Sequence, residues 1–435
     1  MLSKKSILPI STTVSKRGHL IIGGCDTIEL VAEYGTPLYI LDEFTVRSKC
    51  REFKIAFSQR YADTTVIYAS KAFLNKALAN IIKEEGLGLD VVSAGEIIIA
   101  KSADFPMDMV YHHGNNKSIE ELNMAIKNHI SRIVVDSQDE LEMLALIAEE
   151  KGYIPNIMLR LTPGVDVHTH EHITTGFIGS KFGIPLFAAD ELVEKAMAEP
   201  SLNLVGLHFH IGSLILETQP YEESIDVVLD FAAEMKQKHG FELEELNIGG
   251  GFGVRYTEEE IVPGVPFFAE AIVTRLINKC HQLNLSLPAL TIEPGRAIIA
   301  QAGVALYRVG GIKDIPGIKK YVSVDGGMAD NIRPALYGSP YEAFVANNML
   351  EDKKELVTIA GKFCESGDIL VKDINLPPIK RGDILAVPVC GAYSLPLQSN
   401  YNVSLKPAIV LVNEGERRLI RRRQTYDELT NCDLL

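Results

Sequence analysis

The chain has 435 residues, 46% of them hydrophobic and 23% charged, with a formal net charge of −14. That length exceeds one ordinary domain and predicts two. The composition excludes a disordered or fibrous chain, and the acidic balance argues against a nucleic-acid or anionic-membrane partner, which needs a basic face. No window reaches the ~18–20 apolar residues of a membrane span. The start, MLSKKSILPISTT, lacks the apolar core of a signal peptide. Six cysteines (25, 50, 280, 364, 390 and 432) are scattered without a CxxC pair, which fits a reducing cytoplasm rather than a disulfide frame or a structural zinc site.

Residues 1–45 hold a short extended piece (HLIIGG), a helix pattern (TIELVAEYG) and a strand (TPLYILDE). From about 46 to 302 strands and amphipathic helices alternate. The strand candidates are TTVIYAS (64–70), LGLDVVS (87–93), DMVYHHG (108–114), RIVVDS (132–137), NIMLRL (156–161), LNLVGLHFH (202–210), EELNIGG (244–250) and ALTIEPG (289–295). Three helices open with a serine followed three residues on by a glutamate: Ser93/Glu96, Ser118/Glu121 and Ser137/Glu140. In that box the serine oxygen takes a free helix N–H while the glutamate reaches back to the cap residue. Eight strands alternating with helices over ~250 residues predict an α/β architecture, a (β/α)8 TIM barrel, with a doubly wound sheet as the rival.

From 303 the pattern changes to strand-like runs with Gly/Pro turns: GVALYRVGGIK, KKYVSVDGG, LVTIAG, DILAVPVCG and KPAIVLVN. The expected division is therefore a barrel over 46–302, and a mainly-β domain over 303–435 that the first 45 residues join. The basic run ERRLIRRRQ (416–424) reads as a solvated edge strand or helix face.

A barrel carries its chemistry at the C-terminal ends of its strands. Lys71 stands where TTVIYAS meets the helix pattern NKALANII. Apolar neighbours there should disfavour its charge and leave the neutral amine that forms a Schiff base with a carbonyl. Other strands contain or end in Asp90, the run HHGNNK (112–117), Arg160, and HFHIGS with His208, His210 and Ser213. The seventh ends NIGGGFG (247–253), and the eighth ends in TIEPGR with Glu293 and Arg296. Consecutive glycines let backbone N–H groups approach a phosphate. The run is not a dinucleotide fingerprint, because Tyr256 stands where GxGxxG needs its last glycine. A phosphate nest, a nearby serine, an acid and a Schiff-base lysine together point to pyridoxal 5'-phosphate (PLP).

YASKA (68–72), HIGS (210–213), GGGFG (249–253), EPGR (293–296), CESGD (364–368) and GAY (391–393) resemble the fold-type III PLP-dependent decarboxylases, whose barrel is alanine-racemase-like. VDVHTHEHITTGFIGSKFGI (165–184), DGGMADNIRPALYG (325–338) and SNYN (399–402) make the resemblance closest to the diaminopimelate decarboxylase family. It covers residues ~20–412. The resemblance implies a catalytic set of Lys71 as Schiff-base anchor, His210 stacked on the cofactor ring, and Cys364 delivered from a partner subunit to reprotonate the substrate carbon. It implies that Glu293 keeps the ring nitrogen protonated. Ser213, Gly250, Gly251, Gly253 and Tyr393 would hold the phosphate, and Asp90, Arg160 and Gly295 would complete the cofactor site. Arg296, Arg333, Tyr337, Glu365 and Tyr393 would read the substrate's distal carboxylate and ammonium, the complement that two guanidinium groups and an acid provide.

The implied reaction is decarboxylation of meso-2,6-diaminopimelate to L-lysine and CO2, the last step of lysine biosynthesis, in a cytoplasmic homodimer with no nucleic-acid or membrane partner. The rivals are a related decarboxylase for another amino acid or a carboxylated polyamine, and a regulatory binding protein without catalysis. HTHEH (168–172) is read as a substrate-covering loop rather than a metal site. The chain departs from the family pattern at GSPYEAF (338–344), at Leu395, Pro396 and Leu397, and at Lys406.

Overall fold

The computed structural model describes residues 7–165 and 179–434; the HTHEH stretch lies outside them. The chain divides into two compact units. One comprises Lys49–Gly253 with Val262–Gly295; the other comprises Met1–Ser48, Val254–Ile261 and Arg296–Leu435.

The first unit is the expected barrel. Its strands are β1 (Thr64–Ala69), β2 (Gly88–Val91), β3 (Val110–His112), β4 (Arg132–Val135), β5 (Asn156–Thr162), β6 (Asn203–Phe209), β7 (Glu245–Asn247) and β8 (Ala289–Ile292). Each pairs in parallel with the next, and β8 closes on β1 with Leu290 beside Thr64 and Ile292 beside Val66. The β-branched and aromatic runs form strands because both faces are covered, as a parallel sheet requires. Ile67, Tyr111, Val134, Met158 and Val205, from five different strands, form one buried cluster. A buried acid, Glu245, ties strands together: it accepts from Tyr111 at 2.8 Å, from Thr291 at 2.7 Å and from Arg132 at 2.8 Å.

All three predicted serines cap their helices, but only Ser118/Glu121 closes the reciprocal box. Glu96 reaches one residue further, to the Val92 N–H at 2.6 Å. Glu140 is drawn to the buried ammonium of Lys117 at 2.6 Å, since a desolvated cation needs a counter-charge more than a backbone amide does.

The second unit is built on a sheet in the order Ile369–Leu376, Glu355–Ala360, Lys319–Val324, Gly303–Ile315, Leu38–Asp42, Ala408–Asn413, Glu416–Arg421. Leu38–Asp42 lies between two C-terminal strands, antiparallel to Gly303–Ile315 and parallel to Ala408–Asn413. The basic run supplies the edge strand Glu416–Arg421, where Arg417 meets Glu33 at 2.8 Å. Charge on an edge blocks further strand pairing. Among the described residues no helix is long and apolar enough to cross a membrane.

Candidate active site

Lys71 follows β1 in a short 3-10 turn, Ser70–Ala72. Its side chain is exposed, which corrects the expected desolvation: the surrounding chain does not bury this amine. The turn is held from behind by the end of β8. Ala69 N–H donates to the Pro294 carbonyl at 3.3 Å, and a Cβ on Gly295 would lie 2.9 Å from that of Ala69. Glycine is therefore required there for close approach.

The charge of Lys71 acts on Asp90, Glu96 and His210, so these strand ends share one electrostatic environment. Burial pushes Asp90 up against the pull of His113, whose Nε2 is 3.9 Å away. Burial holds His210 well below the imidazole range, with Lys71 adding to the effect. Its Nδ1 accepts from the Gly250 N–H at 3.2 Å. Arg160 is buried, with its guanidinium 4.6 Å from the Phe182 ring centre and 3.8 Å from Asp136.

Glu293 sits at the end of β8, buried among three polar side chains. Asn247 Nδ2 donates to Oε1 at 2.7 Å, His113 Nε2 lies 2.8 Å from the same oxygen, and His208 Nε2 lies 3.5 Å from Oε2. Burial opposes the charge of Glu293, but the two imidazoles outweigh it and hold the carboxyl well below its ordinary range. Burial pushes His208 down to about 3, so that ring is neutral at physiological pH. His113, His208 and Glu293 bring their ligand-type atoms within 4.8 Å of one another. The 2.8 Å approach of His113 to Glu293 is a close contact without hydrogen-bond alignment, and the nearby Arg160 cation opposes a metal ion.

The glycine run is stitched to the loop carrying Ser213. Ile215 N–H donates to the Gly251 carbonyl at 2.9 Å, and Gly253 N–H donates to the Ile215 carbonyl at 3.0 Å. Gly250 and Gly253 thus spend their N–H groups within the protein, on His210 and Ile215. They serve the nest by shape: a Cβ would lie 2.1 Å from the Glu293 carbonyl oxygen at Gly250, and 2.3 Å from Leu216 at Gly253. Gly251, at φ +104°, makes its turn in a region that side-chain-bearing residues avoid.

This site meets what a pyridoxal group asks of a protein. It offers an accessible lysine, an ionised buried acid, a glycine cradle with a serine beside it, and buried polar atoms on Asp90, His113 and His208 that make no hydrogen bond to the described residues.

In the second unit, Arg296 and Arg333 share a cluster of tyrosines. Arg296 Nη1 donates to the Tyr256 hydroxyl at 2.6 Å and lies 4.5 Å from the Tyr393 ring centre. Arg333 donates to the Tyr341 hydroxyl at 3.0 Å and to Ser339 at 3.1 Å, and it lies 5.3, 5.5 and 5.9 Å from the rings of Tyr256, Tyr337 and Tyr393. Ser339 and Tyr341 belong to the GSPYEAF departure, which therefore bears directly on an expected substrate arginine. Cys364 and Glu365 are exposed on a loop of this same unit, outside the arginine–tyrosine cluster as described. Asp368 braces that loop by accepting from Phe363 N–H at 2.9 Å and Met328 N–H at 2.6 Å. The site residues that the sequence did not single out are His113, Asn247, Tyr256, Ser339 and Tyr341.

Barrel, cradle and acid define a pyridoxal-dependent decarboxylase, and residues 44–300 match the family described as "Pyridoxal-dependent decarboxylase, pyridoxal binding domain". The chain is 43% identical to the diaminopimelate decarboxylase of Bacillus subtilis over 422 residues, covering 97% of this chain and 96% of that one. It is 44% identical to that of Synechocystis over 440 residues, covering 99% and 93%. The crystal structure of diaminopimelate decarboxylase from M. jannaschii in complex with L-lysine superposes with a TM-score of 0.92 at 34% identity, covering 98% of both chains. The chain belongs to the diaminopimelate decarboxylase family.

Proposed function

We propose that this chain decarboxylates meso-2,6-diaminopimelate to L-lysine and CO2, with PLP as cofactor, in the last step of lysine biosynthesis. When bound, PLP supplies the electron sink that accepts the pair left as the carbon–carboxylate bond breaks. Lys71 would anchor the cofactor, Glu293 would pair with its ring nitrogen, and the His210 imidazole would cover the ring. Ser213, Tyr393 and the cradle formed by Gly250, Gly251 and Gly253 would hold the phosphate, with Asp90, Arg160 and Gly295 completing the cofactor site. The barrel assignment runs from 46 to 302, and the β-rich assignment takes 1–45 with 303–435.

The observation that carries the substrate reading is Arg333. It is a buried guanidinium whose hydrogen-bond and ring partners among the described residues are hydroxyls and aromatic faces, with no carboxylate among them to neutralise it. Burial works against its charge, and the oxygens of Tyr256 and Tyr341 more than restore it. Such a cation is suited to a substrate carboxylate. Arg296 joins it, while Tyr337, Tyr393 and Glu365 complete the distal recognition, Glu365 taking the ammonium.

Cys364 is exposed on its braced loop, which supports its delivery into a partner subunit's site, where its thiol supplies the proton that replaces CO2. The assembly is accordingly a homodimer, and the free thiols suit the cytoplasm. The test is product analysis after incubating the PLP-loaded protein with meso-diaminopimelate, ornithine, lysine, arginine and a carboxylated polyamine. Lysine and CO2 formed in equal amounts from diaminopimelate alone are expected; faster turnover of any other substrate overturns the assignment.

A further inference from the structure

Asn247 closes β7 and Glu293 lies just past β8, and the register of these two strands sets Asn247 beside Thr291. The amide of Asn247 is engaged at both ends. Its Nδ2 donates to Glu293 Oε1 at 2.7 Å, and its Oδ1 accepts from the Gly249 N–H at 2.9 Å. Those two bonds admit one amide orientation, because the flipped group would set an acceptor against a carboxylate and a donor against an N–H.

His113 Nε2, from the residue after β3, approaches the same Oε1 at 2.8 Å. The other oxygen, Oε2, has His208 Nε2 near it at 3.5 Å, beyond an ordinary N–H···O bond. Asn247, His113 and Glu293 are all buried, so solvent does not compete for either oxygen. One oxygen of the carboxylate thus takes the hydrogen bond of Asn247 with His113 set close beside it, while among the described residues the other meets the longer approach of His208.

We propose that Asn247 and His113 are positioning residues that together occupy Oε1 of Glu293 and so present Oε2 to the ring nitrogen of the bound cofactor. Asn247 has a second consequence. Because it also holds Gly249, it sets the start of the phosphate cradle in register with the acid, fixing the distance between the two ends of the cofactor. The inference rests on the reading of Glu293 as the ring-nitrogen partner.

The test compares the affinity of the apoprotein for PLP with that for 1-deazapyridoxal 5'-phosphate, in which C–H replaces the ring nitrogen. A charge-assisted hydrogen bond predicts that wild type prefers PLP by roughly 10–100-fold. Asn247→Ala and His113→Ala should each cut that preference several-fold; His113→Ala should bind the deaza analogue as wild type does, which also shows that it folds, whereas Asn247→Ala, which releases Gly249 as well, should bind that analogue more weakly and still lose the preference. His113→Gln, which keeps a donor, should recover part of the preference.

Equal weakening toward both cofactors would show that the residues support the fold alone, and an unchanged preference would show that they do not act through the ring nitrogen. Either result overturns the proposal. Glu293→Gln separates the two levels. If it leaves the preference intact, the reading of Glu293 fails. If it removes the preference while the Asn247 and His113 variants keep it, only the positioning inference fails.

Discussion

Arg333 donates from Nε to the hydroxyl of Tyr341 across 3.0 Å, and both side chains are buried. Burial raises the Tyr341 phenol well above its ordinary range, so it stays a neutral acceptor and leaves the positive charge of Arg333 uncancelled. Arg333→Leu is expected to lower kcat/KM for diaminopimelate by ~10²–10³, the scale of a lost charge-assisted pair plus a desolvated substrate carboxylate. It should also narrow the discrimination against lysine without creating a good lysine decarboxylase. Tyr341→Phe removes one hydrogen bond to a charged group and should cost about 1.5–3 kcal/mol, an effect of roughly 10–100-fold. If Arg333→Leu keeps its preference for diaminopimelate within a few-fold, the arginine braces the β-rich unit instead.

Lys71→Ala should abolish turnover while leaving the barrel folded. Borohydride treatment of the PLP-loaded wild type should fix cofactor covalently to the protein, and the same treatment of the variant should release it as free pyridoxine phosphate. Covalent fixation at wild-type yield in the variant would point to another lysine, with Lys76 the first to examine.

The dimer reading makes a prediction about mixtures. Lys71→Ala and Cys364→Ala are each expected to be inactive, yet exchanging their subunits should restore part of the activity, since one hybrid site then carries both residues. Absence of recovery, with exchange shown by mass, would mean that each site is built from one chain.

Asp330 offers a pH test. It is buried, and although it accepts from the Gly327 N–H at 3.1 Å, desolvation pushes its carboxyl up to about 7 from an ordinary 3.8. The folded chain therefore keeps a proton that the unfolded chain has released, and stability falls as pH rises between about 4 and 7. Asp330→Asn imitates the protonated acid and removes that loss. Its denaturation midpoint relative to wild type should improve from pH 5 to pH 8, by an amount corresponding to roughly 2–4 kcal/mol. A constant difference across that interval would mean that Asp330 titrates like an exposed acid.

Most of the barrel strands were legible because they are β-branched or aromatic runs bounded by a turn or a capping serine. Lys71, Glu293 and the glycine run could be read from their places at strand ends. Asn247 and His113 could not, since their importance lies in cross-strand register: each is ordinary in its own segment and meets Glu293 only once the barrel closes. Tyr256 stayed hidden because it reaches Arg296 from 40 residues away in the sequence. The glycine run was legible as a cradle. That Gly250 and Gly253 act by shape, with their N–H groups already committed, depends on the loop at Ile215 and has no local signal. The exposure of Lys71 is likewise invisible in its apolar flanks, because those residues point into the barrel wall while the lysine leaves it.

The contact of Gly295 with the Ala69 turn ties Lys71 to a segment made more than two hundred residues later. During synthesis, the amine emerges early and waits, without its supporting wall, until the last strand is added. If Lys71 anchors the cofactor, its capture is expected to be a late event, coupled to the most sequence-distant pairing in the barrel and to the slow closure such pairings bring. A chain stopped before residue 289 should emerge unable to retain PLP through gel filtration, whereas one extended beyond residue 295 gains the wall; retention by the shorter chain would show that the first strands alone suffice.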